Sequence, residues 1–337
     1  MLEKTLPIIK CSGTPLEMGI QYGLQAKEAI KSNLEKFALV YDKLMIAKMK
    51  ESLQKFVPDV LEELEGIAQG SQVDLDLLLS YNHWELTNDD EERCTVFVLH
   101  SNDEGLLIAK NNDSPVGENG KFVIRQCNPN NKIAFTQVTY AGFISGLDMI
   151  NATGLCNTHG SVGSAFERKG LRLDIRLALY NLMQTCSTID EVVQQLEQYP
   201  LTGKGFSIAL GDAKGNSIIV DAAVPFLGKR ARNTKFAYST NLYEYKDLEN
   251  ADMRLPNRRN ICVYRNGYLK YVENTNPPKT LTELKNLASI HAPWSPCRHG
   301  GIQGSVTDWS VIFFAEKQKF LIAHGQPCEN EYQEMSI

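Results

Sequence analysis

The chain has 337 residues, of which 43 % are hydrophobic and 22 % are charged, and its formal net charge is −5. This length is enough for one large or two ordinary domains with a sizeable core. The slight negative charge and the lack of a long basic block argue against nucleic acid or an anionic membrane as a partner. Because neither a signal peptide nor a long apolar run is found, we expect a cytoplasmic protein.

The first 93 residues are predicted to be mainly helical. Thr14, Pro15 and Glu17 form a typical helix start, with an N-cap, a proline at the first position and a glutamate that can complete a capping box. Further helices are predicted after Pro58 and after Asp74, and the charged run NDDEER then reads as a solvated loop. Residues 1–93 are therefore predicted to form a helical N-terminal segment.

After Cys94 the pattern changes to that of strands. The runs TVFVLH and GLLIAK flank a turn, as do KFVIRQC and IAFTQVT, so each pair predicts a hairpin. Helical periodicity returns after Gly170, and strands alternate with helices from there to the end of the chain. Blocks of hairpins and helices in this order predict an α+β fold, in which helices cover antiparallel sheets.

Eight cysteines lie at wide intervals, without a C-x-x-C pair, and are expected to be reduced thiols. Cys297 and His299 are too close together for a typical zinc pair, and no other ligand pair accompanies them in the sequence. Nucleotide-binding glycine patterns are also absent. The sequence therefore predicts no metal site and no cofactor.

Cys94 lies where the charged loop meets the first strand. A cysteine nucleophile needs a group that takes its proton, and no cysteine has a recognisable Cys/His peptidase signature around it. An N-terminal nucleophile instead uses its own α-amine, whose pKa is roughly 7.7–8.0. That solution requires cleavage between Arg93 and Cys94. On the residues alone, an ordinary buried thiol stays open as the alternative.

Several segments, in the same order, resemble the acyl-coenzyme A:isopenicillin N (6-aminopenicillanic acid) acyltransferase family, peptidase family C45, a branch of the N-terminal nucleophile hydrolases. They are GTPLEMGIQYGLQAKEAI, LEELEGIAQGSQVDLDLLLSYNHWEL, CTVFV with GLLIAKNND, GLDMINATGL, FAYSTNLYE and GSVTDWSVIFFAEKQKFLIAHGQP. The resemblance implies a four-layer αββα sandwich. It also implies that residues 1–93 become a propeptide or α chain after cleavage, and that residues 94–337 form the catalytic β chain.

The resemblance implies catalytic roles for four residues. Cys94 would cleave the chain after Arg93 and then act as the nucleophile. Asp113 would hold the α-amine of Cys94 by a charge-assisted hydrogen bond. Asn241 would donate its side-chain amide to the oxyanion of the tetrahedral intermediate. Ser305 falls where the family has an active-site serine.

Three further residues are expected to line the substrate pocket. Lys110 occupies a position where relatives often have arginine. In GLCNTHG the sequence departs from the asparagine-bearing strand of the family, and Thr158 and His159 stand in its place. This departure leaves the substrate contacts of that strand open.

The function implied is an enzyme that takes an acyl group from an amide or thioester onto Cys94 and passes it to water or an amine. Its partner would be a small acyl amide or acyl thioester, with neither nucleic acid nor membrane involved. Whether the protein forms an oligomer stays open. Two other classes of function stay open as well. One is an uncleaved, non-catalytic binding protein with the same fold, and the other is a Cys/His peptidase.

Overall fold

A computed structural model describes eight parts of the chain, separated by short gaps: residues 6–36, 42–83, 94–116, 120–163, 166, 170–291, 296–300 and 304–337.

The N-terminal segment begins with a strand and continues as helices. Its elements are β1 (Ile8–Gly13), α1 (Pro15–Gln25), α2 (Lys27–Lys36), α3 (Lys43–Phe56), α4 (Pro58–Ser71) and α5 (Leu75–His83). The predicted capping box of Thr14 and Glu17 opens α1, and Pro58 is at the first turn of α4. Asp74 accepts a hydrogen bond from the backbone N–H of Leu77 at the start of α5.

The remaining elements alternate strands with helices, as the sequence predicts. They are β2 (Thr95–Ser101), β3 (Gly105–Pro115), β4 (Phe122–Pro129), β5 (Phe135–Tyr140), β6 (Met149–Asn151), β7 (Cys156–Val162), β8 (Leu173–Asp174), α6 (Ile175–Met183), α7 (Ile189–Gln198), β9 (Leu201–Thr202), β10 (Gly205–Gly211), β11 (Ser217–Ala223), β12 (Phe226–Lys229), β13 (Phe236–Ser239), α8 (Pro256–Thr275), α9 (Leu281–Ala288), β14 (Ser305–Phe314), β15 (Lys319–His324) and β16 (Gln333–Ser336).

The strands form two large sheets. The strand order is β1-β4-β5-β6-β7-β10-β11-β12 in one and β13-β2-β3-β14-β15-β16 in the other, while β8 and β9 form a small separate pair. The predicted hairpins β2/β3 and β4/β5 are confirmed, with antiparallel registers. β1, by contrast, was not predicted. It pairs in parallel with β4, more than 100 residues away in the chain, so no local turn signals its presence.

Three hydrophobic clusters separate four layers. The first packs α1 to α7 against the outer face of the eight-stranded sheet, and the second lies between the two sheets. The third packs α8 and α9 against the outer face of the six-stranded sheet. The predicted αββα sandwich is therefore confirmed, because alternate side chains of each strand face a sheet on one side and helices on the other.

The helical layer contains one very close crossing, between α1 and α4. Gly19 and Gly23 of α1 face Gly66 and Gly70 of α4, and a β-carbon at any of the four would overlap backbone atoms of the other helix. Glycine at a spacing of four on both helices thus allows the two backbones to touch. Among the described helices, none is both long and apolar enough to cross a membrane.

Candidate active site

Cys94 directly precedes β2, which runs between β13 and β3. Ser239 pairs with Val96 on one side, and Thr95 pairs with Asn111 on the other. Continuing both antiparallel ladders past the end of β2 brings Cys94 opposite Asn241 on one side and Asn112 on the other. The buried Cys94 thiol donates to Asn112 Oδ1 at 3.7 Å and to the Asp113 carbonyl at 3.9 Å. Arg93, the residue before the predicted cut, lies outside the described residues.

The carboxyl group of Asp113 is buried among cationic side chains. Thr307 on β14 donates a 2.6 Å hydrogen bond to its Oδ1, and a guanidinium nitrogen of Arg265 on α8 lies 3.7 Å from its Oδ2. Burial raises the pKa of Asp113 to about 7, although Arg298 and Arg265 both act to lower that pKa. This carboxyl therefore changes its charge near neutral pH.

Asn241 follows β13 with a left-handed backbone, φ +65, which asparagine tolerates better than most residues. Its side-chain Nδ2 donates to the Ser161 carbonyl at 2.9 Å, and its Oδ1 accepts from Arg265 at 2.7 Å. Its backbone carbonyl accepts from Arg254 at 2.5 Å. A primary amide has two N–H groups, so one donor of Asn241 is left after the bond to Ser161.

Lys110 of β3 is fully buried and belongs to a charged cluster with Asp148, which directly precedes β6, and His159 of β7. Its Nζ lies 2.8 Å from Asp148 Oδ2 and 3.2 Å from His159 Nδ1, and Asp148 Oδ1 lies 3.3 Å from the same histidine nitrogen. Burial alone would raise the pKa of Asp148, but Lys110 and His159 hold it below its usual value. The structure thus brings together two of the predicted pocket residues, and it adds Asp148 to them.

Thr158 and Ser305 lie near this site without joining its hydrogen bonds. Thr158 is the neighbour of His159 on β7, and its side chain therefore points to the opposite face of the strand. Ser305 is the first residue of β14 and pairs with Pro115. Both hydroxyls are buried and have no hydrogen-bond partner among the described residues. The hydroxyl that does reach Asp113 belongs to Thr307.

Burial raises the pKa of the Cys94 thiol to about 11. Lys110 opposes this shift, while the negative charges of Asp113 and Asp148 add to it. In this arrangement the thiol is therefore protonated at neutral pH. A proton acceptor is needed before the sulfur can act as a nucleophile.

A small cavity of about 40 Å³ adjoins the nucleophile. Asn112, which accepts from the Cys94 thiol, lines it together with Tyr140, Asp148, His159 and Trp309. A larger cavity of about 580 Å³ lies between α3 and residues 170–174, and none of the predicted site residues lines it. The smaller cavity is therefore the one that a predicted site residue, His159, lines, and aromatic rings meet a few polar groups in it.

Four residues of this site were not predicted from the sequence. Arg265 and Arg298 carried no local signal, because they reach Asp113 or Asn241 only through the packing of α8 and of the segment before β14. Thr307 stands in the family-like segment GSVTDWSVIFFAEKQKFLIAHGQP and could have been found there. Asp148 could have been found, since it stands in the segment GLDMINATGL, which is one of the family-like motifs.

The sequence shows no other ligand pair beside Cys297 and His299, but the structure brings further ligand residues close to them. Side-chain ligand atoms of His291, His299 and Cys328 all lie within 4.8 Å of one another. Cys297 Sγ lies 3.5 Å from both Cys328 Sγ and His299 Nε2. The companions are missing from the local sequence because Cys328 comes from the turn after β15, about thirty residues downstream.

Comparison with known proteins identifies the family. The sequence model of the acyl-coenzyme A:6-aminopenicillanic acid acyl-transferase family matches residues 100–291, which is more than half of the chain. No curated protein matches the sequence.

One solved structure shares the fold at low identity, and two others resemble this chain with lower scores. A variant of the conjugated bile acid hydrolase from Clostridium perfringens superposes with a TM-score of 0.50 at 14 % identity, over 72 % of this chain and 92 % of that chain. Penicillin V acylase from Agrobacterium tumefaciens gives a TM-score of 0.46 at 16 % identity, over 68 % and 83 % of the two chains. The N-acylethanolamine-hydrolyzing acid amidase ortholog of Caenorhabditis elegans gives 0.42 at 14 %, over 66 % and 93 %.

The family match covers β3 to α9, which includes Asp113, Asn241 and the charged cluster around Lys110. The chain therefore belongs to the acyl-coenzyme A:6-aminopenicillanic acid acyl-transferase family and is an amidohydrolase or acyltransferase with the N-terminal nucleophile hydrolase fold.

Proposed function

We propose that the protein is activated by its own cleavage before Cys94 and then cleaves linear amide C–N bonds, or transfers the acyl group, through a Cys94 thioester. One observation carries this proposal. Cys94 stands at the start of strand β2, and Arg265 links the two residues beside it, Asp113 and Asn241. A nucleophile, a carboxyl group and an amide donor thus converge at the same end of the neighbouring strands β13, β2 and β3.

Activation begins with an attack of Cys94 Sγ on the carbonyl carbon of Arg93. The C–N bond of that peptide breaks, the nitrogen takes up a proton, and residues 1–93 are left attached to the sulfur as a thioester. Water then hydrolyses the thioester, which releases the Arg93 carboxylate and restores the thiol. The products are a free α-amine and a free thiol on the same residue, as an N-terminal nucleophile requires.

Asp113 is suited to two tasks in this scheme. With a pKa raised to about 7, a large fraction of its carboxyl is ionised at neutral pH and still basic enough to accept a proton from the Cys94 thiol. After cleavage, the same carboxylate would hold the new α-ammonium by a charge-assisted hydrogen bond. Its burial beside Arg265 and Thr307 fixes its position for both tasks.

Asn241 is the donor for the tetrahedral oxyanion. Its side chain is held at both ends, since Nδ2 donates to the Ser161 carbonyl and Oδ1 accepts from Arg265. The second N–H of the amide can therefore point at a fixed place without rotation of the side chain. Loss of one such preorganised donor typically lowers kcat by roughly two to three orders of magnitude.

The substrate is a small acyl amide or acyl thioester. The cavity beside Asn112 is small, and the rings of Tyr140 and Trp309 in its lining offer an apolar contact to the acyl group next to the reacting carbonyl. Asp148 and His159 line its polar side, and Lys110 behind them places a buried positive charge there. We also assign the enzyme to the reducing cytoplasm, because all eight of its cysteines are free.

Gel electrophoresis of the purified protein tests the activation. The chain has a mass of 37.8 kDa, so cleavage before Cys94 predicts bands of roughly 10 and 27 kDa in proportion to length. Cys94→Ala must stay at full length, and Cys186→Ala, which changes a buried cysteine of the helical layer, must mature normally. Mass spectrometry tests the proposed thioester. After exposure to acyl amides, the peptide that begins with Cys94 should carry an acyl adduct.

The alternatives give different outcomes. An intact wild-type chain without an acyl adduct would overturn the enzymatic proposal and leave a binding protein with this fold. A Cys/His peptidase would mature normally but lose activity when one histidine is replaced. The Cys94 thiol donates to Asn112 and to the Asp113 carbonyl, rather than to a histidine of the described residues, which supports the N-terminal nucleophile instead.

A further inference from the structure

Four metal-ligand side chains converge at the edge of the αββα sandwich, on the side of α9. His291 follows α9, and Cys297 and His299 belong to the short segment that leads to β14. Cys328 lies in the turn after β15. We call these residues, His291, Cys297, His299 and Cys328, the Cys2His2 cluster.

Among Cys297, His299 and Cys328, the ligand atoms lie about as far apart as the ligands of one metal ion. With zinc–sulfur bonds of 2.3 Å and zinc–nitrogen bonds of 2.0–2.1 Å, a tetrahedral site places two sulfurs about 3.8 Å apart and a sulfur and a nitrogen about 3.6 Å apart. Here the two sulfurs are 3.5 Å apart, and His299 Nε2 lies 3.5 Å from Cys297 Sγ and 3.1 Å from Cys328 Sγ. His291 has a ring nitrogen within 4.8 Å of the ligand atoms of His299 and Cys328.

The surroundings of the cluster also resemble those of a metal site. His299 Nδ1 lies 3.5 Å from a carboxylate oxygen of Glu329, which leaves Nε2 directed at the sulfurs. A metal-bound histidine usually gives its other ring N–H to such a carboxylate, since this fixes the tautomer and the ring orientation. The backbone N–H of Cys297 donates to the Ile290 carbonyl at 3.1 Å, which holds Cys297 beside His291.

We propose that the Cys2His2 cluster binds one zinc ion, with Cys297, Cys328 and His299 Nε2 as three ligands and the exposed His291 as the fourth. Two thiolates and two imidazoles form a set that prefers zinc in tetrahedral geometry, and four protein ligands leave no open position for substrate. The site is therefore structural. The two cysteines are free thiols rather than a disulfide.

Zinc at this cluster would support the active site through Arg298. This residue stands between Cys297 and His299, is fully buried, and acts to lower the pKa of Asp113. Its backbone N–H donates to Thr307 Oγ1 at 3.0 Å, and that hydroxyl donates to Asp113. One metal ion bound by both neighbours of Arg298, Cys297 and His299, would hold the backbone of Arg298 in this position. The metal site itself does not depend on the proposed cleavage before Cys94.

Metal analysis of the whole protein tests the proposal directly. The protein is purified under reducing conditions, loaded with Zn²⁺ and dialysed. Inductively coupled plasma mass spectrometry should then find about one zinc ion per chain. Cys328→Ser and His299→Ala should lose most of this zinc. Glu329→Gln should weaken zinc binding by roughly 10- to 100-fold, as expected when the carboxylate behind a ligating histidine is removed. Cys186→Ala, a matched change at a cysteine far from the cluster, should keep full occupancy.

Cobalt gives a second measurement that does not depend on activity. The Co²⁺-loaded protein should show the intense visible bands of tetrahedral cobalt and a sulfur-to-cobalt charge-transfer band, and Cys328→Ser should lose intensity in both. Far-ultraviolet circular dichroism establishes that each variant is folded. Three results would each overturn the proposal. The folded wild-type protein could fail to retain Zn²⁺, or Cys186→Ala could lose as much zinc as Cys328→Ser. Protein whose free thiols were blocked before purification could also contain a Cys297–Cys328 disulfide.

Discussion

Arg265 donates a 2.7 Å hydrogen bond to Asn241 Oδ1 while another nitrogen of its guanidinium lies 3.7 Å from Asp113. The planar, fork-shaped guanidinium can serve two acceptors at fixed angles, which the point charge of a lysine cannot do. One side chain of α8 therefore sets the relative position of the carboxyl group and the amide donor beside Cys94.

Replacing this arginine should damage catalysis more than stability. We expect Arg265→Lys to keep the positive charge near Asp113 but to release Asn241, and to lower kcat by roughly 100-fold, the size of losing a fixed oxyanion donor. KM should change little, because no substrate contact is removed. Steady-state kinetics on the matured enzyme checks this split. Lys270→Met, at an exposed position of the same helix, is the control and should leave kcat unchanged.

Asp113 should make the stability of the protein depend on pH. Its pKa is raised from 3.8 to about 7, so between these values the folded state holds a proton that the unfolded state has released. Stability should therefore fall as pH rises from 4 to 7 and change no further above that range. Cys94→Ala keeps the chain uncleaved for the measurement. In this background we compare the unfolding free energy of Asp113→Asn with that of the protein that keeps Asp113. The difference should shift in favour of Asp113→Asn by up to ~4 kcal/mol between pH 4 and pH 8.

Urea unfolding at several pH values gives this difference. Asp247→Asn, at an exposed aspartate, controls for the loss of one negative charge. A free-energy difference for Asp113→Asn that stays constant between pH 4 and pH 8 would contradict the buried, proton-binding carboxyl.

The buried charges of Lys110 and Asp148 should be coupled. Lys110→Met leaves Asp148 without its 2.8 Å cationic partner and should lower the unfolding free energy by roughly 3–5 kcal/mol. Adding Asp148→Asn removes the uncompensated charge, so the double variant should be less destabilised than the sum of the two single changes. A double-mutant cycle by denaturant unfolding, again with Cys94→Ala, measures the coupling. Additive effects would mean that the two charges do not stabilise each other.

The crossing of α1 and α4 should tolerate no side chain. A β-carbon at Gly66 would meet the backbone of α1 at Leu16 and Gly19, so Gly66→Ala should destabilise the protein by about 1–3 kcal/mol. Gly267→Ala on α8 is the matched control, since nothing lies within 4 Å of a β-carbon there. That change should stabilise the protein by up to ~1 kcal/mol, because alanine favours a helix over glycine. Thermal unfolding of the two variants should therefore shift in opposite directions.

Local pattern was sufficient for most of the fold. Hairpins such as β2/β3 follow from alternation and a short turn, and the capping box at Thr14 follows from three neighbouring side chains. The sequence also placed Cys94 where a charged loop meets a strand, and family-like motifs singled out Asp113 and Asn241. The strand β1 could not be predicted in this way, since its partner β4 lies more than 100 residues further along the chain.

The sequence by itself determined the α+β class, because alternation and helical periodicity are local patterns, and its resemblance to the family implied the αββα sandwich and singled out Cys94, Asp113 and Asn241. Only the tertiary structure decided what surrounds them. Arg265 comes from α8 and Thr307 from β14, and the Cys2His2 cluster is completed by Cys328 in a distant turn. Such contacts are made when helices and sheets pack, and side chains far apart in the chain carry no periodic signal of meeting.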